Sequence, residues 1–147
     1  SATYERGTKA VLAKTDFGIV GLSVCYDVRF PHLYRALAQA GAEILTVPAA
    51  FAQTTGQAHW HALLRARAIE NGAYILAPAQ TGLHYTKDGK ERRTYGHSLV
   101  VSPWGEVLVD AGVEPGVTCF DIDLGEVSKA RSRVASLTQS SVFEGPQ

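Results

Sequence analysis

The sequence predicts an α/β fold in which a largely parallel sheet is covered by helices. Apolar, β-rich runs alternate with segments of helical period, and the links between them are short. Size agrees: 147 residues, 46% of them hydrophobic, are enough to bury a sizeable core as one domain.

The elements follow in order. Lys9 to Lys14 (KAVLAK) reads as a short strand and Thr15-Asp16 as a turn. Phe17 to Cys25 (FGIVGLSVC) is an apolar run bounded by turn signals, the pattern of a buried strand. Pro31 stands where a first helical residue belongs, since its missing N–H costs a helix nothing there. Leu33, Ala36, Leu37 and Ala40 follow at helical spacing, and Gly41 supplies the stop. Glu43 to Val47 (EILTV) is a second strand, ended by Pro48. Strand, helix and strand with short links make a βαβ unit. A second helix is predicted over Gln57 to Glu70, with Thr54 or Thr55 as N-cap and Asn71-Gly72 as stop. Ala73 to Pro78 (AYILAP) is a third buried strand. Leu99 to Ser102, Val107 to Asp110 and Thr118 to Asp123 read as strands of a meander, joined by Pro-Trp-Gly and Glu-Pro-Gly turns. An amphipathic helix from Leu124 to about Arg133 closes the series, and the polar tail after Val134 is expected to cross a surface or reach a partner subunit.

Composition excludes several classes. Fourteen Lys+Arg balance fourteen Asp+Glu, and the pI is near 6.9, so the chain lacks the electrostatic footprint of a general nucleic-acid binder. Charges or Pro/Gly break every apolar run before the roughly 18 residues a membrane span needs. High apolar content without low-complexity tracts argues against disorder. Cys25 and Cys119 are too few for a disulfide framework and too far apart for a zinc knuckle. The opening Ser1-Ala-Thr-Tyr-Glu-Arg has no apolar signal region. The reading is a soluble protein of a reducing compartment, the cytoplasm. The chain holds no methionine, so a processed chain or a piece of a longer protein is expected.

Cys25 is the first candidate for chemistry. It closes a predicted strand and precedes a Pro-started helix, and ligands of open α/β sheets gather at the carboxyl ends of strands. A helix N-terminus and a nearby basic residue favour the thiolate there. The plainer reading is a small buried hydrophobe. Cys119, alternating with Thr118 and Phe120, reads as structural. Arg29 lies four residues after Cys25, where its guanidinium can grip a substrate carboxylate or pair with Asp27 or Glu70. Arg65, Arg67 and Glu70 form the pattern of a partly buried ion-pair face, and Trp60 and Trp104 read as packing residues. His59 and His61 point to different faces of a helix and cannot readily chelate one ion. His84 and His97 have no Cys or carboxylate at a recognised ligand spacing, and His97 reads as a structural hydrogen bonder. No metal site is assigned. A thiol acting on an amide also needs a base, an acid for the leaving amine and donors for the oxyanion. Asp27, Glu43 and Glu70 have weak claims to those roles, so the residues alone spell half a mechanism.

GLSVCYDVRFP (21–31) strongly resembles the nucleophile segment of the nitrilase superfamily, the carbon–nitrogen hydrolases. The resemblance continues through LTVPAAF (45–51), AHWHALLRARAIEN (58–71), APAQTG (77–82) and YGHSLVVSPWGEVL (95–108), collinear blocks over most of the chain. RARAIE, AQTGLH and the YGHS and PWG blocks are most similar to the branch holding deaminated-glutathione amidases and ω-amidases. The resemblance implies an α-β-β-α sandwich, a homo-oligomer built through helical faces, and no cofactor. It implies Cys25 as nucleophile and the backbone N–H of Tyr26 as an oxyanion donor. It also implies Arg29, Phe51 and Thr55 as residues that contact a substrate carboxylate or line the pocket. The family's glutamate base, lysine and second glutamate precede the cysteine segment and have no counterpart here; Glu5, Lys9 and Lys14 do not lie in the matching motifs. Residues 1–147 are therefore expected to form one partial domain, about its C-terminal half, inactive alone and with apolar surface left for the other half to cover. The implied activity is hydrolysis of a small carboxylate-bearing amide through a thioester, with release of ammonia. The alternatives are nitrile or N-carbamoyl hydrolysis on the same fold, a non-catalytic half-domain that serves association, and metal binding through the histidines.

Overall fold

Thr15 and Gly18 close the first hairpin: the Thr15 hydroxyl donates to the Gly18 carbonyl (2.7 Å) and accepts from the Phe17 N–H (3.3 Å). The structure, a computed structural model, describes residue 5, residues 7–139 and residues 143–145. Most of the polar opening and tail positions 140–142 and 146–147 lie outside the described residues. In chain order the elements are β1 (Val11–Thr15), β2 (Gly18–Leu22), α1 (Pro31–Gln39), β3 (Ile44–Thr46), α2 (Gln53–Asn71), β4 (Tyr74–Ala77), β5 (Thr81–Tyr85), β6 (Glu91–Tyr95), β7 (Leu99–Val101), β8 (Val107–Asp110) and α3 (Gly125–Arg133). Short 3-10 turns occupy Cys25–Arg29 and Ala135–Leu137.

Six strands form one sheet in the order β1-β2-β3-β4-β7-β8, and β5 and β6 pair separately as a hairpin. The α/β class is as predicted, but only β2, β3 and β4 run parallel; β1, β7 and β8 pair antiparallel. Two-residue and Pro-Trp-Gly links cannot carry a chain back to the start of a parallel neighbour, so β2 must reverse on β1 and β8 on β7.

Alternation along the strands divides the sheet between two cores. Leu45, Val47, Ile75, Ala77, Leu99 and Val101 face α1 and α2, meeting Tyr34, Leu37, Trp60, Leu64 and Ala68. Trp60 is fully buried and its indole N–H donates to the His97 carbonyl (2.8 Å). Truncating such a residue to alanine costs about 3–5 kcal/mol. Val20, Ile44 and Tyr74 point the other way, toward Val127 of α3. Beyond α3 this second face opens into an apolar trough of about 730 Å³, lined by Leu76, Pro78, Val100, Val109, Phe120 and Ile122.

Several boundaries differ from expectation. β2 stops at Leu22 rather than Cys25, because its partner β3 ends at Thr46 and the Ser23 hydroxyl, not its backbone, takes the Thr46 carbonyl (2.8 Å). α2 begins four residues before Gln57, and neither Thr54 nor Thr55 caps it; Ala52 holds the N-cap position without a side-chain bond. Tertiary contact sets that start. Ala52 bridges to Thr94, and Gly56 lies so close to Tyr95 that a Cβ on it would sit 2.4 Å from the Tyr95 Cβ. The β5–β6 hairpin has no place in the sequence reading. Thr118 to Asp123 is not a strand and Cys119 is exposed, not structural. This segment crosses the second face instead of pairing: Ile122 packs onto it, and the Tyr74 hydroxyl donates to the Asp123 carbonyl (3.0 Å). Of the predicted tail, residues 135–139 lie against α1: Leu137 is buried, and Arg35 of α1 clamps the carbonyls of Ser136 and Gln139 (2.8 Å each).

Candidate active site

The carboxyl ends of β2, β3 and β4 lie side by side, and the chain leaving β2 turns sharply there. Cys25 takes a left-handed backbone (φ 48°), rare for a residue with a Cβ and costly enough to need support. Support comes from three sides. The Cys25 N–H donates to the Pro48 carbonyl (2.9 Å), the Asp27 carboxylate accepts from the Val24 N–H (2.9 Å), and the buried Arg67 guanidinium donates to the Val28 carbonyl (3.0 Å). Tyr34 adds a fourth hold through Ser23, whose hydroxyl lies 2.6 Å from the phenol; burial pushes that phenol up to about 12, so it remains a donor. The thiol is half-buried at this elbow. Among the described residues, the adjacent Tyr26 N–H donates no hydrogen bond.

Arg29, at the end of the same turn, pairs with neither Asp27 nor Glu70. Among the described residues it has no carboxylate partner. Its guanidinium lies 5.1 Å from the Phe51 ring centre and 5.6 Å from that of Tyr26, with both terminal nitrogens 3.4 Å from His59 Nδ1. Phe51 is buried against Trp60 (4.9 Å between ring centres) and gives that guanidinium a rigid platform. The fold thus gathers Cys25, Tyr26, Arg29 and Phe51. Thr55 is half-buried in the first turn of α2, its hydroxyl on the Ala52 carbonyl (3.3 Å), one turn ahead of His59 on the same face. A thiol, an unused N–H and a cation without an acid, on one edge, can hold and attack an anionic acyl compound.

The other candidates are occupied elsewhere. Asp27 holds the elbow, Glu43 accepts from the Ile19 N–H (3.2 Å), and Glu70 pairs with Arg67 (2.9 Å), as the ion-pair face predicted. Arg65 donates to the Gly105 carbonyl (2.8 Å). Sequence spacing gave no sign that His61 and His97 share a carboxylate. Asp110, at the end of β8, lies 2.9 Å from His61 Nε2 and 2.9 Å from His97 Nδ1. Burial alone would raise the Asp110 carboxyl, but hydrogen bonds from His61, the Gly112 N–H and His97 together hold it below the ordinary aspartate range. This clasp ties α2 to β8. The sequence reading weighed His59 only as a metal ligand and missed its place beside Arg29, because nothing in its spacing reveals that α2 passes beside the Cys25 turn.

The chain is similar in sequence and in fold to known carbon-nitrogen hydrolases. The sequence pattern described as carbon-nitrogen hydrolase matches residues 1–132. A deaminated glutathione amidase of Synechocystis is 49% identical over 145 residues, 97% of this chain and 52% of that protein. Saccharomyces cerevisiae Nit3, described as a member of branch 10 of the nitrilase superfamily, superposes with a TM-score of 0.81 at 33% identity over 91% of this chain and 48% of that one. An amidase from Nesterenkonia sp. AN1, solved as a mutant with the acetamide moiety of fluoroacetamide added covalently at its active-site cysteine, gives a TM-score of 0.71 at 33% identity over 93% of this chain and 50% of that one. The chain spans about half the length of these proteins. With its sequence matched over residues 1–132 and its fold shared with nitrilase-superfamily structures, the chain belongs to the carbon-nitrogen hydrolase family.

Proposed function

We propose that this chain carries the nucleophile half of an amidase, which hydrolyses the C–N bond of a small carboxylate-bearing amide through a thioester on Cys25. The observation that carries the reading is the Cys25 elbow, a left-handed turn at the carboxyl edge of the sheet with the unused Tyr26 N–H beside it. Cys25 Sγ, as thiolate, attacks the amide carbon and forms a C–S bond while the carbonyl pair moves onto oxygen. The Tyr26 N–H stabilises that oxyanion. The tetrahedral species collapses, the C–N bond breaks, and the nitrogen leaves as ammonia with a proton supplied by an acid outside this chain. Water then adds to the thioester carbon, the C–S bond breaks, and the products are a carboxylic acid and the free thiol. Arg29 anchors the substrate carboxylate, while Phe51 and Thr55 shape the pocket around it.

On this reading the base, lysine and second glutamate of the family lie outside these residues. The 147-residue chain is one partial domain, inactive by itself, and the apolar trough is the face the remainder of the domain covers. The protein works in the cytoplasm, as a homo-oligomer. The test is intact-mass analysis of the full-length protein mixed with a slow amide substrate. An acyl adduct on Cys25 that disappears on incubation, and a Cys25→Ala variant with neither adduct nor ammonia release, are expected. Ammonia release that survives Cys25→Ala would overturn the assignment.

A further inference from the structure

Sequence spacing argues against a metal site, because His61 and His97 lie far apart and neither has a carboxylate at a recognised ligand interval. Folding removes that objection. α2, the turn before β7 and the end of β8 bring three ligand atoms together: His61 Nε2, His97 Nδ1 and a carboxylate oxygen of Asp110, all within 4.8 Å of one another. Among the described residues, no other trio of His, Cys, Asp or Glu side chains converges so closely. The amide chemistry at Cys25 uses none of the three.

The surrounding structure holds these side chains in place. His97 takes a left-handed backbone (φ 57°), a conformation that, outside glycine, only Cys25 shares among the described residues. Its N–H donates to the Gly112 carbonyl (2.7 Å), and its own carbonyl accepts from the indole of the buried Trp60 (2.8 Å). The Gly112 N–H returns to Asp110 Oδ1 (2.9 Å) and orients the carboxylate. Tyr95 stacks on the His97 ring (4.4 Å between ring centres) and meets His61 edge-on (6.0 Å). Yet the three side chains remain 26–35% exposed, so an ion can reach them from solvent. A set anchored by its surroundings and open to water offers three protein ligands, an entry path and free coordination positions.

We propose that His61, His97 and Asp110 bind one divalent transition-metal ion of the Zn²⁺ class, with water completing its shell. Two imidazoles and one carboxylate suit Zn²⁺ and its first-row neighbours, whereas Mg²⁺ and Ca²⁺ take shells of oxygen. Bonds of about 2.0–2.2 Å set neighbouring ligands of a tetrahedral ion about 3.3–3.6 Å apart, so the two 2.9 Å contacts of Asp110 open by about half an ångström to admit it. Each ring presents its lone pair to the ion by carrying its proton on the other ring nitrogen. Without the ion, the same side chains form the hydrogen-bonded clasp. With it, the ion takes over the link between α2, the turn before β7 and β8. The proposal stands independently of the amidase reading.

The test uses the full-length protein, stripped with a chelator, and simple salts of Zn²⁺ and Co²⁺ as probes. Calorimetric titration is expected to show a Zn²⁺ site that His61→Gln and Asp110→Asn each weaken strongly. Outer-shell partners of metal sites already cost about 10–100-fold in affinity when removed, so loss of a ligand should cost about 100-fold or more. Circular dichroism and thermal melting of the metal-free variants check that they fold. His59→Gln, on the same helix, and Cys25→Ala are expected to bind as wild type does. Co²⁺ on wild type is expected to give visible absorption of a nitrogen- and oxygen-bound ion without a thiolate charge-transfer band, and this reading decides the matter if a variant does not fold. No binding by wild type, binding unchanged in folded His61→Gln or Asp110→Asn, binding lost in Cys25→Ala, or a thiolate band with Co²⁺ overturns the site.

Discussion

Arg29 illustrates how one residue acquires meaning from its surroundings. Spacing alone allowed an ion pair with Asp27 or Glu70, yet both acids are engaged elsewhere, and the guanidinium lies against Phe51 beside His59. A charge held on an aromatic platform without a counterion is preorganised for an incoming carboxylate. Charge-assisted hydrogen bonds contribute about 1.5–3 kcal/mol, so Arg29→Ala should raise KM for an anionic amide roughly 10- to 100-fold with little change in kcat. Steady-state kinetics on an anionic amide and its neutral counterpart check this. An equal loss on the neutral amide would mean that Arg29 holds the elbow rather than the substrate.

Between elements, the His61–Asp110–His97 clasp joins α2, the turn before β7 and the end of β8. Its carboxyl is held below the ordinary aspartate range, and the sign of the consequence follows. A depressed carboxyl contributes stability that is fully present above its unfolded value, about 3.9, and is lost as pH falls through the lower folded value. Asp110 is about a third exposed, so solvent screening keeps the contribution small. Asp110→Asn should cost about 1 kcal/mol at pH 7, and the gap to wild type should close below about pH 4. Denaturant titrations at several pH values measure it, and a gap constant with pH would assign the loss to packing instead. The hairpin belongs to this scale too. Asp88-Gly89 is a turn signal, but Glu91-Arg-Arg-Thr-Tyr95 shows no polar-apolar alternation to mark a strand after it, so β5–β6 and its contact with the Phe51 segment were not legible in the sequence.

For the whole molecule, the two faces of the sheet differ sharply. One is closed by α1 and α2, while the other carries α3 and then an open apolar trough. Exposed apolar areas of this kind mark a surface that another structural layer covers. The 147-residue chain made alone should therefore bind a hydrophobic dye strongly and release no ammonia from glutaramate, whereas the full-length protein should bind little dye and be active. Fluorescence titration and an ammonia assay on the two polypeptides check both points. Weak dye binding by the isolated chain would show that the trough closes on itself.

Local chemistry in the sequence determined the α/β class, the Pro31-started helix and its Gly41 stop, the buried strands at Ile44–Thr46 and Tyr74–Ala77, and the motif that singles out Cys25. Those features depend on side-chain period, capping and breakers within a few residues of one another, which a linear reading can see. Tertiary structure alone decided where α2 begins, since Gly56 meets Tyr95, and what became of Thr118 to Asp123, whose alternation serves packing across a sheet face rather than pairing at its edge. It also decided that Asp110 serves two histidines and that Arg29 lies against Phe51 beside His59. Such juxtapositions are made by strand order and helix docking over dozens of residues, and no local propensity encodes them.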